Sequence, residues 1–338
     1  MARNKTVIAI TTGDAAGIGP EIALKAALDP AVRAVCDPIL VSDPRLLDRH
    51  AAACGMAVAL RVVDQIGDAA WSSDKLNVLA CPQPEAATLA FGVTDAASGR
   101  ASLAFASTAI RAALAGEVDA VVAAPQNETA IALAGIKFDG HPSFVARETG
   151  TPEDDVYLML CFGATKIAHA TLHHSVRQAL ALITRQNVTR IIRLTDRTLR
   201  SLGIEAPKIA VSGLNPHAGE GGLFGREEIE IIGPAIEDAI AAGVEASGPF
   251  GADTMFHMKN VDAFVVMLHD QGHVAAKLLA PNASAALTIG TPILFSSVAH
   301  GSAHNIAGKG IASPQAMIEA VLRLAKARHA PGTRSAAA

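Results

Sequence analysis

Short apolar runs rich in β-branched residues alternate along the chain with longer segments rich in alanine and leucine. The run Val7–Ile10 precedes a helical pattern over Pro20–Leu28, and the run Pro38–Asp43 precedes a second helical pattern over Arg45–Cys54. Such alternation is typical of βαβ units, in which crossover helices join parallel strands. The sequence therefore predicts an α/β fold built on a largely parallel sheet.

The size of the chain predicts two domains. Its 338 residues exceed the ~250 to 300 at which a single hydrophobic core usually stops growing. Half of the residues are apolar and only 4% are aromatic, a composition suited to helices packed tightly on a buried sheet. A predicted helix over Ser98–Leu114 leads into a buried strand that ends at Pro125, and we expect the crossover between domains near that proline.

Charge and terminal composition exclude several classes of partner. The formal net charge is −4, without a basic region that could neutralise a phosphate backbone, so we expect no nucleic-acid partner. The first apolar run, Val7–Ile10, is too short for a signal-peptide core or a membrane span. Four widely spaced cysteines without a CxxC motif indicate reduced thiols. We therefore expect a cytoplasmic protein with no membrane partner.

Three histidines lie where apolar, strand-like runs meet turns. They are His173 in ATLHHSV, His217 in GLNPHAGEGG and His269 in MLHDQGH. Three imidazoles suffice for a catalytic divalent metal that keeps one coordination position open. The wide separation of the three along the chain requires the fold to bring them together, so ordinary loop histidines remain the alternative. Asp270 could orient His269, and Asp253 could be a carboxylate neighbour or a helix cap.

Two glycine-rich segments could hold a ligand. Gly13–Glu21 follows the first strand and opens a helix, so its amides could hold an anion, but its glycines do not match the G-x-G-x-x-G dinucleotide fingerprint. The second segment, His300–Gly310, contains three glycines together with Asn305 and Lys309. It could wrap an adenine and its ribose, or it could be a tight turn.

The motifs GDAAGIGPE, GLNPHAGEGGLFGREE, GADTMF, LHDQG and HGSAHNIAGKG occur in this order. In this combination the chain resembles the metal-dependent 4-hydroxythreonine-4-phosphate dehydrogenases (the PdxA family of pyridoxal phosphate biosynthesis), relatives of isocitrate and isopropylmalate dehydrogenases. The resemblance implies a two-domain α/β/α homodimer with shared active sites in the interdomain clefts. The first domain would comprise residues 1–125 and 287–338, and the second residues 126–286.

The resemblance also implies roles for individual residues. His173, His217 and His269 match the family's metal ligands, contributed across the dimer interface, for zinc or alternatively Mg, Mn or Co. The second glycine-rich segment matches the NAD adenosine site of the wider fold. Lys277 is a candidate for holding a substrate carboxylate or transferring a proton, with Asp253 and His141 as further catalytic candidates. The expected NAD-binding residues are Gly301, Ala303, His304, Asn305, Ile306 and Lys309.

Several positions depart from the phosphate-substrate enzymes. Pro142, Ala286 and Phe295 stand where groups expected to hold a substrate phosphate would be, and Glu128 replaces the family's usual lysine. A reversed charge beside an anionic substrate indicates changed specificity. With ATLHHSV and LHDQGH, these departures resemble the terephthalate cis-dihydrodiol dehydrogenase branch, whose substrate carries carboxylates and no phosphate.

The expected activity is metal- and NAD-dependent oxidative decarboxylation of a β-hydroxy acid, here terephthalate 1,2-cis-dihydrodiol to protocatechuate and carbon dioxide. One alternative is a dehydrogenase of 4-phosphohydroxy-L-threonine or a related phosphorylated hydroxy acid. A three-histidine zinc hydrolase or hydratase, which needs no nucleotide, is an alternative from another class. A noncatalytic metal-binding scaffold is the least favoured, because the chain offers no exposed apolar stripe or interaction tail.

Overall fold

The computed structural model describes residues 5–71, 74–280 and 284–326, which fold as two compact units. One unit comprises Met1–Glu153 with Thr291–Ala338, and the other comprises Asp154–Gly290. The first boundary lies farther along the chain than the expected crossover at residue 125, and the second lies a few residues after 286. The reason is local packing, because the helices Glu128–Leu133 and His141–Thr149 both contact the long helix of the first unit.

The regular elements bear out the alternating pattern of the sequence. The strands are β1 (Thr6–Thr11), β2 (Cys36–Ser42), β3 (Leu60–Val63), β4 (Leu76–Ala80), β5 (Ala120–Ala123), β6 (Tyr157–Phe162), β7 (Thr165–His169), β8 (Lys208–Ser212), β9 (Glu245–Phe250), β10 (Ala263–Val266), β11 (Ala285–Ile289) and β12 (Phe295–Val298). The helices are α1 (Gly19–Leu28), α2 (Pro30–Val35), α3 (Pro44–Ala53), α4 (Pro84–Ala87), α5 (Ala96–Leu114), α6 (Glu128–Leu133), α7 (His141–Thr149), α8 (Val176–Leu182), α9 (Arg185–Ser201), α10 (Gly233–Ala241), α11 (His269–Leu279) and α12 (Gln315–Ala325). Among the described helices, none is both long and apolar enough to cross a membrane.

The first unit is built on a fully parallel sheet in the order β3-β4-β2-β1-β5-β12. Five of the six residues of β1 are buried, and all four of β5 are buried. Helices cover both faces of such a sheet, so its strands carry apolar residues continuously rather than alternately. The core on one face includes Val41, Ile110, Val121 and Phe295. The predicted α/β class is therefore confirmed.

The second unit has a mixed sheet in the order β11-β6-β7-β10-β8-β9. Strands β11, β6 and β7 pair antiparallel, whereas β7, β10, β8 and β9 pair parallel. Parallel neighbours end at the same edge of a sheet, and ligand sites of open α/β sheets lie beyond that edge. His173 follows β7, His217 follows β8 and His269 follows β10. The fold thus sends all three histidine-bearing loops to one edge.

The buried His50 on α3 gives the first unit a pH-dependent stability. The ring is fully buried, Nε2 donates to the Ala15 carbonyl oxygen at 2.9 Å, and Nδ1 is buried without a hydrogen-bond partner among the described residues. Burial lowers the pKa of His50 to about 4. The unfolded chain therefore binds the proton more tightly, so this contribution to stability is complete above about pH 6.5 and is lost as the pH falls towards about 4.

From His50 alone we expect the free energy of unfolding to fall by up to about 3 kcal/mol over this range. Urea unfolding midpoints measured at several pH values should decline less steeply for His50→Gln, which keeps a donor for the Ala15 carbonyl. Parallel curves for the variant and the parent would contradict the assignment.

Candidate functional site

The start of α11 places a carboxylate beside His269, a predicted metal ligand. His269 is the first residue of the helix, and its Nδ1 lies 2.6 Å from Oδ1 of Asp270. A carboxylate partner holds the proton on Nδ1 and leaves the lone pair on Nε2. The predicted role of Asp270 as an orienting residue therefore has a contact that supports it.

The structure brings His173 and His269 together. Their ring centroids are 5.9 Å apart. Two imidazoles bound to one tetrahedral zinc ion place their centroids about 5 Å apart, so this pair fits a shared divalent metal with a small adjustment. No ring contact joins His217 to either of them within the described residues, and no group of three or more His, Cys, Asp or Glu side chains there is arranged to hold a metal ion.

Two further histidines, which have no predicted role, extend the ring contacts of this pair. The ring of His273 stacks on His269 with centroids 3.8 Å apart and planes inclined by 10°. The fully buried His169 lies on the other side of His273, with ring centroids 4.7 Å apart. Burial lowers the pKa of His169 to about 3 and that of His273 to about 4, so both rings are neutral at pH 7. The i, i+4 spacing of His269 and His273 was the sequence signal for the stack.

The residues between the two stacked histidines fix the first turn of α11. Oε1 of Gln271 accepts from the Met267 and Leu268 amides at 2.9 and 3.0 Å, and its Nε2 donates to the Gly213 carbonyl at 3.1 Å. Gln271 therefore ties the helix that carries His269 to the loop that carries His217. Gly272 has no room for a side chain, because an added Cβ would lie 2.3 Å from Nε2 of His169.

We expect Gly272→Ala to destabilise the protein by about 1–3 kcal/mol, although alanine has the higher helix propensity, because the new methyl group would displace α11 from His169. The urea midpoint of the variant measures the effect. Gly67→Ala is a matched control, since an added Cβ there meets nothing within 4 Å. Equal midpoints for the two variants would show that the contact with His169 is not restrictive.

His217 lies in an unusual backbone segment. From His217 to Gly221 five consecutive residues have positive φ, including 53° at His217, 51° at Ala218 and 44° at Glu220. Left-handed backbone is unfavourable for residues with a Cβ, and persists only where surrounding contacts enforce it. The side chain is exposed, with Nδ1 3.5 Å from Oε2 of Glu220 and the ring 6.0 Å from that of Phe224.

The second unit also carries the catalytic candidates Lys277 and Asp253. Lys277 is exposed and follows His269 and His273 at i, i+4, i+8 spacing, so the three lie along one stripe of α11. Asp253 is exposed in the turn before a short helix that begins at Met255. That helix has no side-chain cap, and within the described residues no recorded contact joins Asp253 to the histidines.

His141 lies in the first unit, and one of its ring nitrogens is buried. It begins α7, and its ring lies 5.5 Å from that of Phe295 and 5.8 Å from that of Phe138. Its Nε2 is shielded from solvent and has no hydrogen-bond partner among the described residues. Burial lowers the pKa of His141 to about 4, so the ring is neutral at pH 7.

The two glycine-rich segments interlock within the first unit. The Ile18 amide donates to the Ser302 carbonyl at 2.9 Å, and an added Cβ at Gly17 would lie 2.8 Å from Cβ of Ser302. The amides of Asp14, Ala15, Ala16 and Gly17 also have protein partners. The expectation that amides of this segment are free to hold an anion is wrong for residues 14–18, because two of these amides bond within the segment and three bond to Ser98, Pro125 and Ser302.

A buried carboxylate holds the second segment in place. Asp14 is 1% exposed, and its Oδ2 lies 2.6 Å from Nε2 of His304. Its other oxygen accepts from the Ser98 hydroxyl and from the Ala16 amide. Because Asp14 is the acceptor, Nε2 of His304 carries the proton. The sequence interpretation assigned Asp14 no role, since its side-chain partners Ser98 and His304 are 84 and 290 positions away.

The predicted NAD-binding residues form one turn-rich loop around a short helical turn, His304–Ile306. Gly301, Asn305 and Lys309 are exposed, and Ala303, His304 and Ile306 are partly buried. Ala303 has a left-handed φ of 41°. The buried Ser302 hydroxyl and Oε1 of Gln126 have no hydrogen-bond partner among the described residues. Exposed backbone beside unsatisfied polar atoms fits a polar, nucleotide-sized ligand.

A surface cavity of about 620 Å³ is lined by none of the predicted site residues. It lies on α9 and is lined by four arginines of that helix with Gln186, Thr189 and Asp238. Arg185 is paired with Asp238 at 2.5 Å, and Arg190 with Asp155 at 2.8 Å. Two of the four arginines are therefore already paired with carboxylates.

The fold and these residues define an α/β protein of two units, with histidines and glycine-rich loops beyond the ends of its strands. The family model described as "Pyridoxal phosphate biosynthetic protein PdxA" matches residues 34–325, and the chain belongs to this family. The predicted resemblance is therefore confirmed.

Among curated proteins, the chain is 42% identical over 320 residues to "1,2-dihydroxy-3,5-cyclohexadiene-1,4-dicarboxylate dehydrogenase" from Comamonas sp, covering 94% of this chain and 96% of the relative. Among solved structures, it is similar to 4-hydroxythreonine-4-phosphate dehydrogenase from Klebsiella pneumoniae, with TM-score 0.84 and 37% identity over 95% of this chain and 100% of the other. A terephthalate 1,2-cis-dihydrodiol dehydrogenase from Burkholderia xenovorans gives TM-score 0.72 and 41% identity over 95% and 98%.

Proposed function

We propose that the protein is a metal- and NAD-dependent dehydrogenase that oxidises a β-hydroxy acid and releases carbon dioxide. The favoured substrate is a dicarboxylated cyclohexadiene cis-diol. Support comes from the dihydrodiol dehydrogenases that match almost the whole chain at 42% and 41% identity. The observation that carries the choice of substrate is the environment of His141.

That environment is apolar. The fully buried Phe295 lies against the His141 ring, and Pro142 follows His141 directly. A phosphate dianion needs several charge-assisted donors, usually arginine, lysine or hydroxyl groups. Neither Phe295 nor Pro142 supplies a donor side chain, so these two residues do not favour a phosphate. His141 is retained as a further catalytic candidate.

The reaction has two steps. First, the C–H bond at the secondary carbinol breaks, its hydride goes to NAD⁺, and the hydroxyl proton passes to a base, which leaves a ketone β to a carboxylate. Next, the bond to that carboxylate breaks and carbon dioxide leaves. The electron pair stays in the ring as an enolate, which takes up a proton to give an aromatic catechol. Aromaticity makes this second step effectively irreversible.

Particular side chains would serve this chemistry. A divalent metal held by His173, His269 and His217 would acidify the substrate hydroxyl and polarise the new carbonyl. Lys277 lies about 12 Å along the helix axis from His269, and its long side chain can fold back to hold a carboxylate or exchange a proton. Asp253 is retained as a candidate acid or base. We propose NAD binding at Gly301, Ala303, His304, Asn305, Ile306 and Lys309.

A homodimer would complete the metal site. Within the described residues His173 and His269 approach each other, but His217 does not join them. A second copy that presents its own His217 would supply the third imidazole, and symmetry would build two such sites per dimer. This arrangement agrees with the family resemblance and makes catalysis dependent on association.

A second candidate function is oxidation of a phosphorylated hydroxy acid such as 4-phosphohydroxy-L-threonine. It is favoured by the larger TM-score of the Klebsiella pneumoniae structure, 0.84 against 0.72 for the Burkholderia xenovorans structure. The TM-score reports the similarity of the backbone as a whole. The side chains around His141 are more specific to the substrate, and they favour the dicarboxylate.

NADH formation by the metal-loaded protein tests both candidates when the cis-diol and the phosphate ester are offered in parallel. Turnover of the diol, with protocatechuate and carbon dioxide in equal amounts, is the expected result. Turnover of the phosphate ester alone would refute the interpretation of Pro142 and Phe295. Hydrolysis or hydration by the metal-loaded protein without NAD would instead indicate the hydrolase class.

A further inference from the structure

The left-handed segment from His217 to Gly221 folds around one buried carboxylate, Glu228. This side chain belongs to a π-helical segment, Glu228–Ile232, and is 4% exposed. Its Oε1 accepts from the Leu214 and Asn215 amides, each at 2.7 Å, and its Oε2 accepts from Nδ2 of Asn215 at 2.9 Å. The backbone just before His217 is therefore held by three hydrogen bonds to one residue.

The amide of Asn215 extends the network. Its Nδ2 also donates to Oε2 of Glu227 at 2.7 Å, so both amide hydrogens go to carboxylates. The hydrogen bond from Asn215 lowers the pKa of Glu227. Asn215 is followed by Pro216 and His217. Glu227 and Glu228 therefore both hold the side chain of Asn215 just before the left-handed segment begins.

The network around Glu228 explains why glycines occur in the motif GLNPHAGEGGLFG. An added Cβ would lie 2.9 Å from Oε1 of Glu228 at Gly213, and 2.6 Å from its Oε2 at Gly219. At Gly225 it would lie 2.4 Å from Nδ2 of Asn215. Distances this short exclude a side chain, so the spacing of glycines in GLNPHAGEGGLFG is what lets the loop close on Glu228.

We infer that Glu228 is a positioning residue for His217, which holds the imidazole where the metal site requires it. This inference rests on the proposed function, in which His217 is a metal ligand. Among the described residues, the donors that hydrogen-bond to Glu228 are all neutral N–H groups, and burying a carboxylate without a counter-charge is unfavourable. The left-handed segment contains three residues with a Cβ, and such a backbone persists only where contacts from outside the segment enforce it. The hydrogen bonds to Glu228 supply such contacts.

Metal affinity tests the inference. Apo protein is titrated with Co²⁺ in competition with a chromophoric chelator, and the visible bands of the bound ion report its ligands. We expect Glu228→Ala to weaken Co²⁺ binding about 10–100-fold and to alter the bands, as loss of a residue that orients a ligand does. Glu228→Gln keeps one carbonyl oxygen for the two amides and should lie closer to the parent.

Glu230→Ala is the matched control, because Glu230 is an exposed glutamate of the same segment that pairs with Arg226 at 2.5 Å. It should bind Co²⁺ like the parent. All titrations are made well below the melting temperature of each variant, with circular dichroism showing an intact fold. A purely structural role for Glu228 would lower the melting temperature and leave the affinity unchanged, which overturns the inference.

Hydrogen exchange gives a second readout that needs no metal. In Glu228→Ala the amides of Leu214 and Asn215 should exchange faster, and peptides covering His217 should lose protection, while Glu230→Ala stays at the parent rate. Unchanged exchange would overturn the anchoring role of Glu228. If exchange accelerates but His217→Ala binds Co²⁺ as tightly as the parent, the anchor stands and the ligand assignment in the proposed function fails.

Discussion

His217→Ala is expected to lower turnover by on the order of 10³-fold or more, and to remove tight metal binding, while the protein stays folded. A catalytic metal with three protein ligands cannot lose one imidazole without losing affinity and the geometry that acidifies the substrate. The side chain of His217 is exposed, so its removal leaves no cavity in the core. Metal content after dialysis and the NADH assay measure the two effects.

His257→Ala is the control for this substitution, because His257 is also an exposed histidine of the second unit and has no predicted role. It should keep both metal and turnover. Full turnover by His217→Ala would remove His217 from the metal site and with it the reason for sharing the site between subunits.

Mixed dimers test the sharing directly. His217→Ala and His269→Ala chains, each inactive alone, are refolded or expressed together. If each site takes His269 from one chain and His217 from the other, a mixed dimer has one intact site and one with both defects. Random association should therefore restore about a quarter of the parent activity per chain. No recovery would mean that all three histidines act within one chain.

The sequence predicted the strands well because strands buried on both faces are continuous apolar runs. The run Val7–Ile10 lies in β1, the run Pro38–Asp43 ends one residue after β2, and the histidines were correctly expected just after strands. Helix α11 was not predicted, since its first turn is His269-Asp-Gln-Gly-His273, a composition with low helix propensity. Without that helix the stacking of His273 on His269 could not be foreseen.

What the sequence could not show is contact between distant segments. The amides after β1 were expected to be available for an anion, but the Ile18 amide donates to the Ser302 carbonyl, and the Asp14 carboxylate accepts from His304. Such pairings follow from how the sheet is wound, which local composition does not encode. The boundary at Glu153 also depends on tertiary packing, because the sequence of the short helix α6 does not show to which unit it belongs. Its packing on α5 decides this: an added Cβ at Gly99 would lie 2.3 Å from the Ala130 carbonyl oxygen.

The largest stability effect is expected at the ion pair that fastens the second glycine-rich segment to α1. Glu21 is fully buried, and its Oε1 accepts from Nζ of Lys25 at 2.7 Å and from the Ala312 amide at 2.8 Å. Nζ of Lys25 also donates to the Gly310 and Ala312 carbonyls at 3.0 and 2.8 Å. One ammonium group thus pairs with Oε1 of a buried carboxylate and with two loop carbonyls, whereas Oε2 of Glu21 has no hydrogen-bond partner among the described residues.

Lys25→Met should reduce the free energy of unfolding by about 3–5 kcal/mol, because it leaves the Glu21 carboxylate buried without its counter-charge. Adding Glu21→Gln should recover part of the loss, since glutamine can still accept from the Ala312 amide without an unpaired charge. Urea unfolding of the parent, both single variants and the double variant gives the coupling energy. Lys137→Met is the surface control, because its partner Asp139 is itself 46% exposed, and should cost less than about 1 kcal/mol.

Lys25→Met should affect the proposed NAD site as well as stability. Gly310 and Ala312 lie one and three residues after Lys309, so losing the ammonium frees the end of the predicted NAD loop. NAD affinity measured by calorimetry should therefore fall in Lys25→Met, and should return in part with Glu21→Gln. A variant that loses several kcal/mol of stability yet binds NAD like the parent would show that this loop holds no cofactor. In that case the ion pair would serve the fold alone.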